Sequence, residues 1–189
     1  MMAVARVLAV LALEGLRVLA LDVGGHKLGL AVPTAWKEKA QTNDNQWVGI
    51  YQNGDGFVLF VTALPRAPSG PLDLAATTKT LIERLPQQFP QMAPVGEPTT
   101  EPYGGFVTHG RRLEGKKGGA PWLGTVVSVD AGPVGVLVVA AGPDAAYRRA
   151  WPLALSGLKQ LTVDGARGPW KYAAPPTPTP PAPTPPPKK

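Results

Sequence analysis

The chain contains no cysteine, two histidines and three serines in 189 residues. Without cysteine there is no disulfide framework, no thiolate nucleophile and no thiolate metal site. The absence fits an oxidising or a reducing compartment equally well. His26 and His109 are isolated from one another and make a poor zinc set. Neither has a partnered motif nearby, and none of Ser69, Ser128 and Ser156 lies in Gly-x-Ser-x-Gly, so serine-hydrolase chemistry is close to excluded. Long apolar runs are missing as well. The stretch Val7–Leu13 gives way to Glu14 and Arg17, far short of the ~20 residues a membrane-spanning helix needs. Acidic residues are also few, 13 against 19 Lys and Arg, for a net charge of +6. Lys188 and Lys189 supply part of that excess, so it is thin support for nucleic acid as a partner.

What is present is a chain sized for one domain with appendages, 44% hydrophobic and carrying five tryptophans. Those tryptophans fall at strand or helix positions, where core packing is the expected role. Proline (23) and glycine (22) are abundant, and nine of the last fifteen residues, Pro175–Lys189, are proline. Such a tail is expected to be extended and polyproline-like, because it has almost no apolar side chains to bury. At the other end, Arg6, the apolar Val7–Leu13 and the small-x-small element Val18–Ala20 have the order of an export signal. The expected organisation is a signal peptide or N-terminal helix over 1–20, a single domain over 21–172 and a proline-rich tail over 173–189. A first strand of the domain is the other reading of the N-terminal stretch.

Within the body, Leu28, Leu30 and Val32 alternate as in a strand, while 35–46 is polar and loop-like. Trp47–Tyr51, a turn at Asn53–Gly56 and Phe57–Leu64 predict a hairpin, since Asn-Gly and Asp-Gly tolerate the positive φ of a tight turn. Asp73 is placed to cap a helix striped by Leu74, Thr78, Leu81, Ile82 and Leu85, which Pro86 stops. Residues 91–102 read as a proline-punctuated loop. Tyr103–Leu113, Trp122–Asp130 and Val134–Gly142 then read as strands. Asp144 is expected to cap a last helix striped by Tyr147, Trp151, Ala154, Leu155, Leu158 and Leu161, with Pro152 kinking or splitting it. The expected class is α+β: an antiparallel-rich sheet of about six strands in β-β-β-α-β-β-β-α order, with the helices packed on it.

Two features have the look of chemistry. Leu16–Val32, with Asp-x-Gly-Gly between apolar runs, resembles the opening hairpin of YqgF-type Holliday-junction resolvases of the RNase H-like superfamily, in which a strand-borne Asp holds a metal. That resemblance implies Asp22 as a metal ligand, and Asp130, in the similar context Val-Asp-Ala-Gly, is its only sequence echo. Metal-dependent hydrolysis needs several converging carboxylates, whereas Glu38, Asp44 and Asp55 fall in loops or a turn and Glu83 on a polar helix face. The second feature is basic: Arg111, Arg112, Lys116 and Lys117 form a candidate patch for an anionic partner. Gly115–Gly119 within it lacks the Walker spacing and its Ser/Thr.

Over residues 26–162 the chain is similar to the PsbP/DcrB-like group. The residues carrying this are Pro33-Thr-Ala-Trp36 after the first strand, the hairpin and helix that follow, the basic glycine-rich hairpin, Ala140-Ala-Gly-Pro143 and the last helix near Leu153–Leu158. The resemblance implies an α/β sandwich without catalysis, in a group of extrinsic subunits, GTPase-binding modules and envelope proteins. Its members share no catalytic residue set. The leading expectation is therefore a non-catalytic binding or structural module, exported to periplasm or cell surface, with a protein partner or self-assembly, peripheral envelope contact and no cofactor. The alternative is a cytoplasmic metal-dependent nucleic-acid enzyme using Asp22.

Overall fold

The computed structural model describes residues 15–43, 46–66, 70–85 and 92–172. The apolar start before Gly15, Asp44, Ser69, Pro86 and the proline-rich tail lie outside these.

Strands make up most of the structure. Asp22 sits in β1 (Leu16–Val23), which pairs residue by residue with β2 (His26–Pro33). The turn between them places Gly24 and Gly25 at φ +58° and +85°, as a two-residue hairpin of this hand requires. Leu16–Val32 is thus one hairpin, and Val18–Ala20 lies within β1, paired with Gly29–Ala31 of β2. β1 starts five residues before the expected domain boundary at 21. After β2 come β3 (Lys37–Asn43), β4 (Gln46–Gln52) and β5 (Val58–Pro65). The Asn53–Gly56 turn forms as expected, with Asn53 Oδ1 accepting from the Asp55 and Phe57 N–H groups at 3.1 and 3.0 Å.

Helix α1 (Leu74–Arg84) is capped by Asp73, whose carboxylate accepts from Ala76 N–H at 2.9 Å. Then follow β6 (Met92–Thr99), β7 (Val107–Lys117), β8 (Ala120–Ala131), β9 (Val134–Pro143), α2 (Asp144–Leu158) and the short β10 (Thr162–Val163). Asp144 is not the cap of α2. It is the first helical residue, after Pro143, and pairs one turn on with Arg148 at 2.7 Å. Pro152 does not split α2, which runs unbroken from 144 to 158. Its ring faces outward and removes a single backbone donor.

The described strands number ten, not six, and form two antiparallel sheets. The larger has the order β3-β4-β5-β9-β8-β7-β6 and the smaller β1-β2-β10. The order differs from the expected β-β-β-α-β-β-β-α: five strands precede α1, four lie between the helices and one follows α2, with β1, β3, β6 and β10 beyond those expected. β3 and β6 are the outermost strands of the large sheet. Residues 37–42 of β3 are exposed throughout, and β6 carries Pro94, Pro98 and a register shift between Val95 and Thr99. Neither needs an apolar face, which is why both read as loops.

Alternation along the central strands builds two cores on opposite faces of the large sheet. On one face Leu59, Val61, Ala63, Val127, Val129, Val136 and Val138 meet Leu28, Leu30 and Val32 of the small sheet and the buried side of α2. On the other, Leu85, Leu113, Val126 and Ala141 gather under α1. Trp36 and Trp47 are core residues as expected, whereas Trp122, Trp151 and Trp170 are only partly covered.

Candidate functional site

The two carboxylates singled out in the sequence lie on different sheets. Asp22 is exposed on β1, opposite Lys27. Asp130 is buried near the end of β8, and both its oxygens are engaged. Oδ1 accepts from the Arg66 guanidinium at 2.7 Å, from Gly132 N–H at 3.2 Å and from the Tyr172 hydroxyl. Oδ2 accepts from Leu72 N–H at 2.8 Å. Asp130 therefore ties the segment before α1 and the last described residue to the sheet. Among the described residues, no group of three or more His, Asp or Glu could hold a metal.

The other acids are paired locally. Glu38 meets Arg17 at 2.5 Å, Asp55 meets Arg149 at 3.1 Å and Glu83 meets Lys79 at 3.9 Å. His26 contacts Asp164 at 2.9 Å, and this bond, with that from Lys27 N–H, holds the Asp164 carboxyl below its usual range. His109 stands directly opposite Ser128 in the β7–β8 register. Ser128, however, is fully buried, with its hydroxyl bonded to Thr78 at 2.9 Å. That hydroxyl is structural.

The basic patch divides between two faces, because its members alternate along one strand. Arg111 lines a cavity beside α1, whereas Arg112 points toward α2 and bonds Glu114 at 2.7 Å. Lys116 lies near Asp144 and Arg148, and the Lys117 ammonium sits 4.6 Å from the centre of the Trp122 ring.

The structure brings together a different set. Two rows of residues run along α2. The small row, Ala146, Ala150, Ala154 and Gly157, is buried and lets the helix approach the small sheet closely. A Cβ on Gly157 would fall 2.2 Å from the Ala31 carbonyl oxygen. The large row, Tyr147, Trp151 and Leu155, is spaced four residues apart and faces β8. Between this row and the β7–β8 strands opens a cleft of about 550 Å³. Its floor is Leu123 and Thr125. Its far wall is Tyr103, held by a tight turn in which Tyr103 and Phe106 exchange backbone hydrogen bonds across Gly104 and Gly105.

Aromatic contacts fix the shape of the cleft. The Tyr147 and Trp151 rings stack with centroids 5.9 Å apart and planes 15° apart, and Phe57 backs Tyr147 at 5.9 Å. The Tyr147 hydroxyl meets Thr125 Oγ1 at 2.5 Å. Charges at the rim are paired, Arg112 with Glu114, Arg148 with Asp144 and Glu101 with Lys159. Burial pushes the Tyr147 phenol up to about 12, and burial, then the nearby Glu101 charge, raises Tyr103. At neutral pH the cleft is an uncharged aromatic surface ringed by neutralised charges. It offers shape and hydrogen-bond donors.

Burial also raises Tyr51 and Tyr172, so all four tyrosines of the chain are held above the ordinary value of 10.0. A raised folded value means the neutral form is favoured by the fold. The resulting stability is complete below pH 10.0 and is lost as pH climbs through the raised values. Titration followed by tyrosinate absorbance is expected to run above the ordinary tyrosine range and to rise together with unfolding. A smooth titration centred at 10.0 in the folded chain would contradict this packing.

Sequence periodicity places Tyr147, Trp151 and Leu155 on an apolar stripe and assigns them to the core. Tyr147 is buried there, and Trp151 and Leu155 pack against it, but the stripe gives no sign that the three also line a cleft. The available signal is the second row: Ala146, Ala150, Ala154 and Gly157 already supply a packing face, so the large residues beside it are left to line something else.

Comparison with known proteins bears on the fold. No family model matches the chain, and no curated protein matches it. Among solved structures, LpqN of Mycobacterium tuberculosis, a protein involved in cell envelope biogenesis, superposes with a TM-score of 0.51 at 16% identity. The match covers 79% of this chain and 92% of LpqN. The chain shares its fold with LpqN. A Pseudomonas aeruginosa protein of unknown function gives a TM-score of 0.40 at 14% identity over 77% of this chain and 96% of its own. A Bacteroides thetaiotaomicron protein gives 0.39 at 10% identity over 75% and 45%. These comparisons yield a fold and no PsbP/DcrB-like family match. No helix among the described residues is long and apolar enough to cross a membrane.

Proposed function

We propose that this chain is a non-catalytic binding module, exported or envelope-associated, which holds an extended segment of a protein partner in the α2 cleft. The observation that carries the reading is the cleft itself: stacked aromatic walls, an apolar floor and rim charges already neutralised. Such a surface rewards shape and hydrogen-bond donation rather than acid–base work. A fold shared with an envelope-biogenesis protein and a signal-like start support the location.

Octaproline is a suitable probe, because it is extended, uncharged and rich in free carbonyls. Added to the isotope-labelled chain, it is expected to produce saturable NMR shifts at Tyr103, Thr125 and Trp151. Saturable shifts confined to another surface, or none, overturn the cleft as the binding site. Export is tested by N-terminal sequencing of the native protein. Because β1 pairs from Leu16 onward, a processed chain is expected to start at or before Leu16 and not after Ala20. An intact Met1 or Met2 in a cytosolic fraction overturns export.

A further inference from the structure

On the other face of the large sheet, between α1, β6 and β7, lies a second cavity of about 270 Å³. His109 and Arg111 line it from alternate positions of β7, and Ile82 lines it from α1. β6 bulges where it passes this cavity. Val95 pairs with Arg112 and Thr99 with Gly110, so Gly96, Glu97 and Pro98 lie opposite Arg111 alone. Gly96 takes a φ of +64° there, and Pro94 and Pro98 border the cavity on either side of it. Bulges of this kind re-aim side chains and are common beside functional sites.

Two polar groups on the cavity wall are left without partners. Among the described residues, the arginines that are partly covered are Arg17, Arg66 and Arg111. Glu38 neutralises the first and Asp130 the second, whereas the Arg111 side chain has neither an ion pair nor a hydrogen bond among the described residues. Glu97, across the bulge, is exposed and does not pair with it, and Glu83 at the mouth faces Lys79 at 3.9 Å. Covering a charge without a counter-charge is unfavourable, and a bound anion removes that cost. His109 adds a buried Nδ1 with no hydrogen-bond partner among the described residues, a kind of atom that is nearly always satisfied.

The charge balance selects the ligand. One unpaired cation, with Glu83 already at the mouth, suits a single negative charge and disfavours a phosphate dianion or a polyanion. The remaining wall is largely apolar, from Ala75, Ile82, Pro94 and Pro98. An apolar cavity of about 150 Å³ takes up a benzene ring, so about 270 Å³ has room for one ring and its carboxylate. We infer that this cavity binds a small monocarboxylate with a ring-sized apolar body, its oxygens held by the Arg111 guanidinium. The site is separate from the α2 cleft and does not depend on the reading of that cleft.

Benzoate is the probe, added to the isotope-labelled full chain. Saturable NMR shifts are expected at Ile82, His109 and Arg111, with a dissociation constant of about 1 mM or below. Tyr103, Thr125 and Trp151, in the other cleft, should not move. Benzyl alcohol, the same ring without the charge, should bind at least about tenfold more weakly, the size of one charge-assisted hydrogen bond. Arg111→Gln should weaken benzoate by a similar factor, and Arg111→Lys, which keeps the charge, should recover part of it. Ile82→Trp approaches the cavity from the helix side and should abolish benzoate binding with Arg111 intact. Spectra of the free variants, unchanged away from α1 and β7, show that each is folded. No saturation by about 10 mM benzoate in the parent chain overturns the inference. So do shifts spread over surface cations, and so does equal benzoate affinity in the parent and in folded Arg111→Gln. Equal affinity for benzoate and benzyl alcohol overturns the assignment to a carboxylate.

Discussion

Asp130→Ala is expected to lower the unfolding free energy by about 3–5 kcal/mol, the range for removing one member of a buried charge pair. The carboxylate is 6% exposed and gathers four donors: the Arg66 guanidinium, the N–H groups of Leu72 and Gly132, and the Tyr172 hydroxyl. Alanine leaves Arg66, itself only 16% exposed, without its counter-charge, and two N–H groups without an acceptor. Asp130→Asn keeps the shape but offers one acceptor oxygen where the fold uses two, so it should recover only part of the loss. The double variant Arg66→Met/Asp130→Leu should lose less than the sum of the single changes, because it removes charge and counter-charge together. Chemical denaturation of the four proteins checks this, and a loss of under about 1 kcal/mol for Asp130→Ala would sink the account. The same series separates the structural role from metal binding, since neutralising a carboxylate held in place for a cation tends to leave stability unchanged or raised.

Gly157→Ala should cost about 2–3 kcal/mol, a fall in Tm of about 5–10 °C for a chain of this size. The direction is the informative part. On an exposed helix face the same change gains up to about 1 kcal/mol, because alanine is the better helix former. At Gly157 the added Cβ meets backbone, 2.2 Å from the Ala31 oxygen and 2.9 Å from its carbon, and backbone of a paired strand cannot rotate away. Either α2 lifts or β2 bends. If α2 lifts, the Tyr147–Trp151–Leu155 wall moves with it, and octaproline affinity should fall along with stability. Ser156→Ala, one residue away on the exposed side, is the control and should be neutral or slightly stabilising. A neutral Gly157→Ala would mean that the helix does not press on the small sheet as described.

Much of the fold was legible because its central elements bury one face. The Asn53–Gly56 turn, the Asp73 cap and the apolar alternation of β5 and β9 each follow from residues whose local preference and final surroundings agree. β3 and β6 were not legible. Lys37–Asn43 is held by backbone pairing to β4 and by the Glu38–Arg17 ion pair, with no apolar side chain buried, and Met92–Thr99 holds its place beside β7 despite two prolines. Side-chain periodicity is silent about a strand that buries neither face. The strand start at Tyr103 was misplaced for a related reason: Gly104 and Gly105, at φ +60° and +84°, turn the chain before the strand begins at Val107. For the site, the basic patch was found as a cluster in sequence and divides in space, because neighbours along a strand point to opposite faces. The cleft has the opposite character. Its walls come from residues 103, 123–125 and 147–155, and no local pattern records that these meet.

The make-up of β3 and β6 bears on how the protein behaves when crowded. An open sheet margin is a template on which other chains add strands, the first step of uncontrolled polymerisation. Here one margin is Lys37, Glu38 and Lys39, and the other carries Pro94, Pro98 and an interrupted register. Charge repels a matching copy at the first, and missing donors defeat it at the second. A large sheet protected in this way can be held at high local density without its copies knitting together.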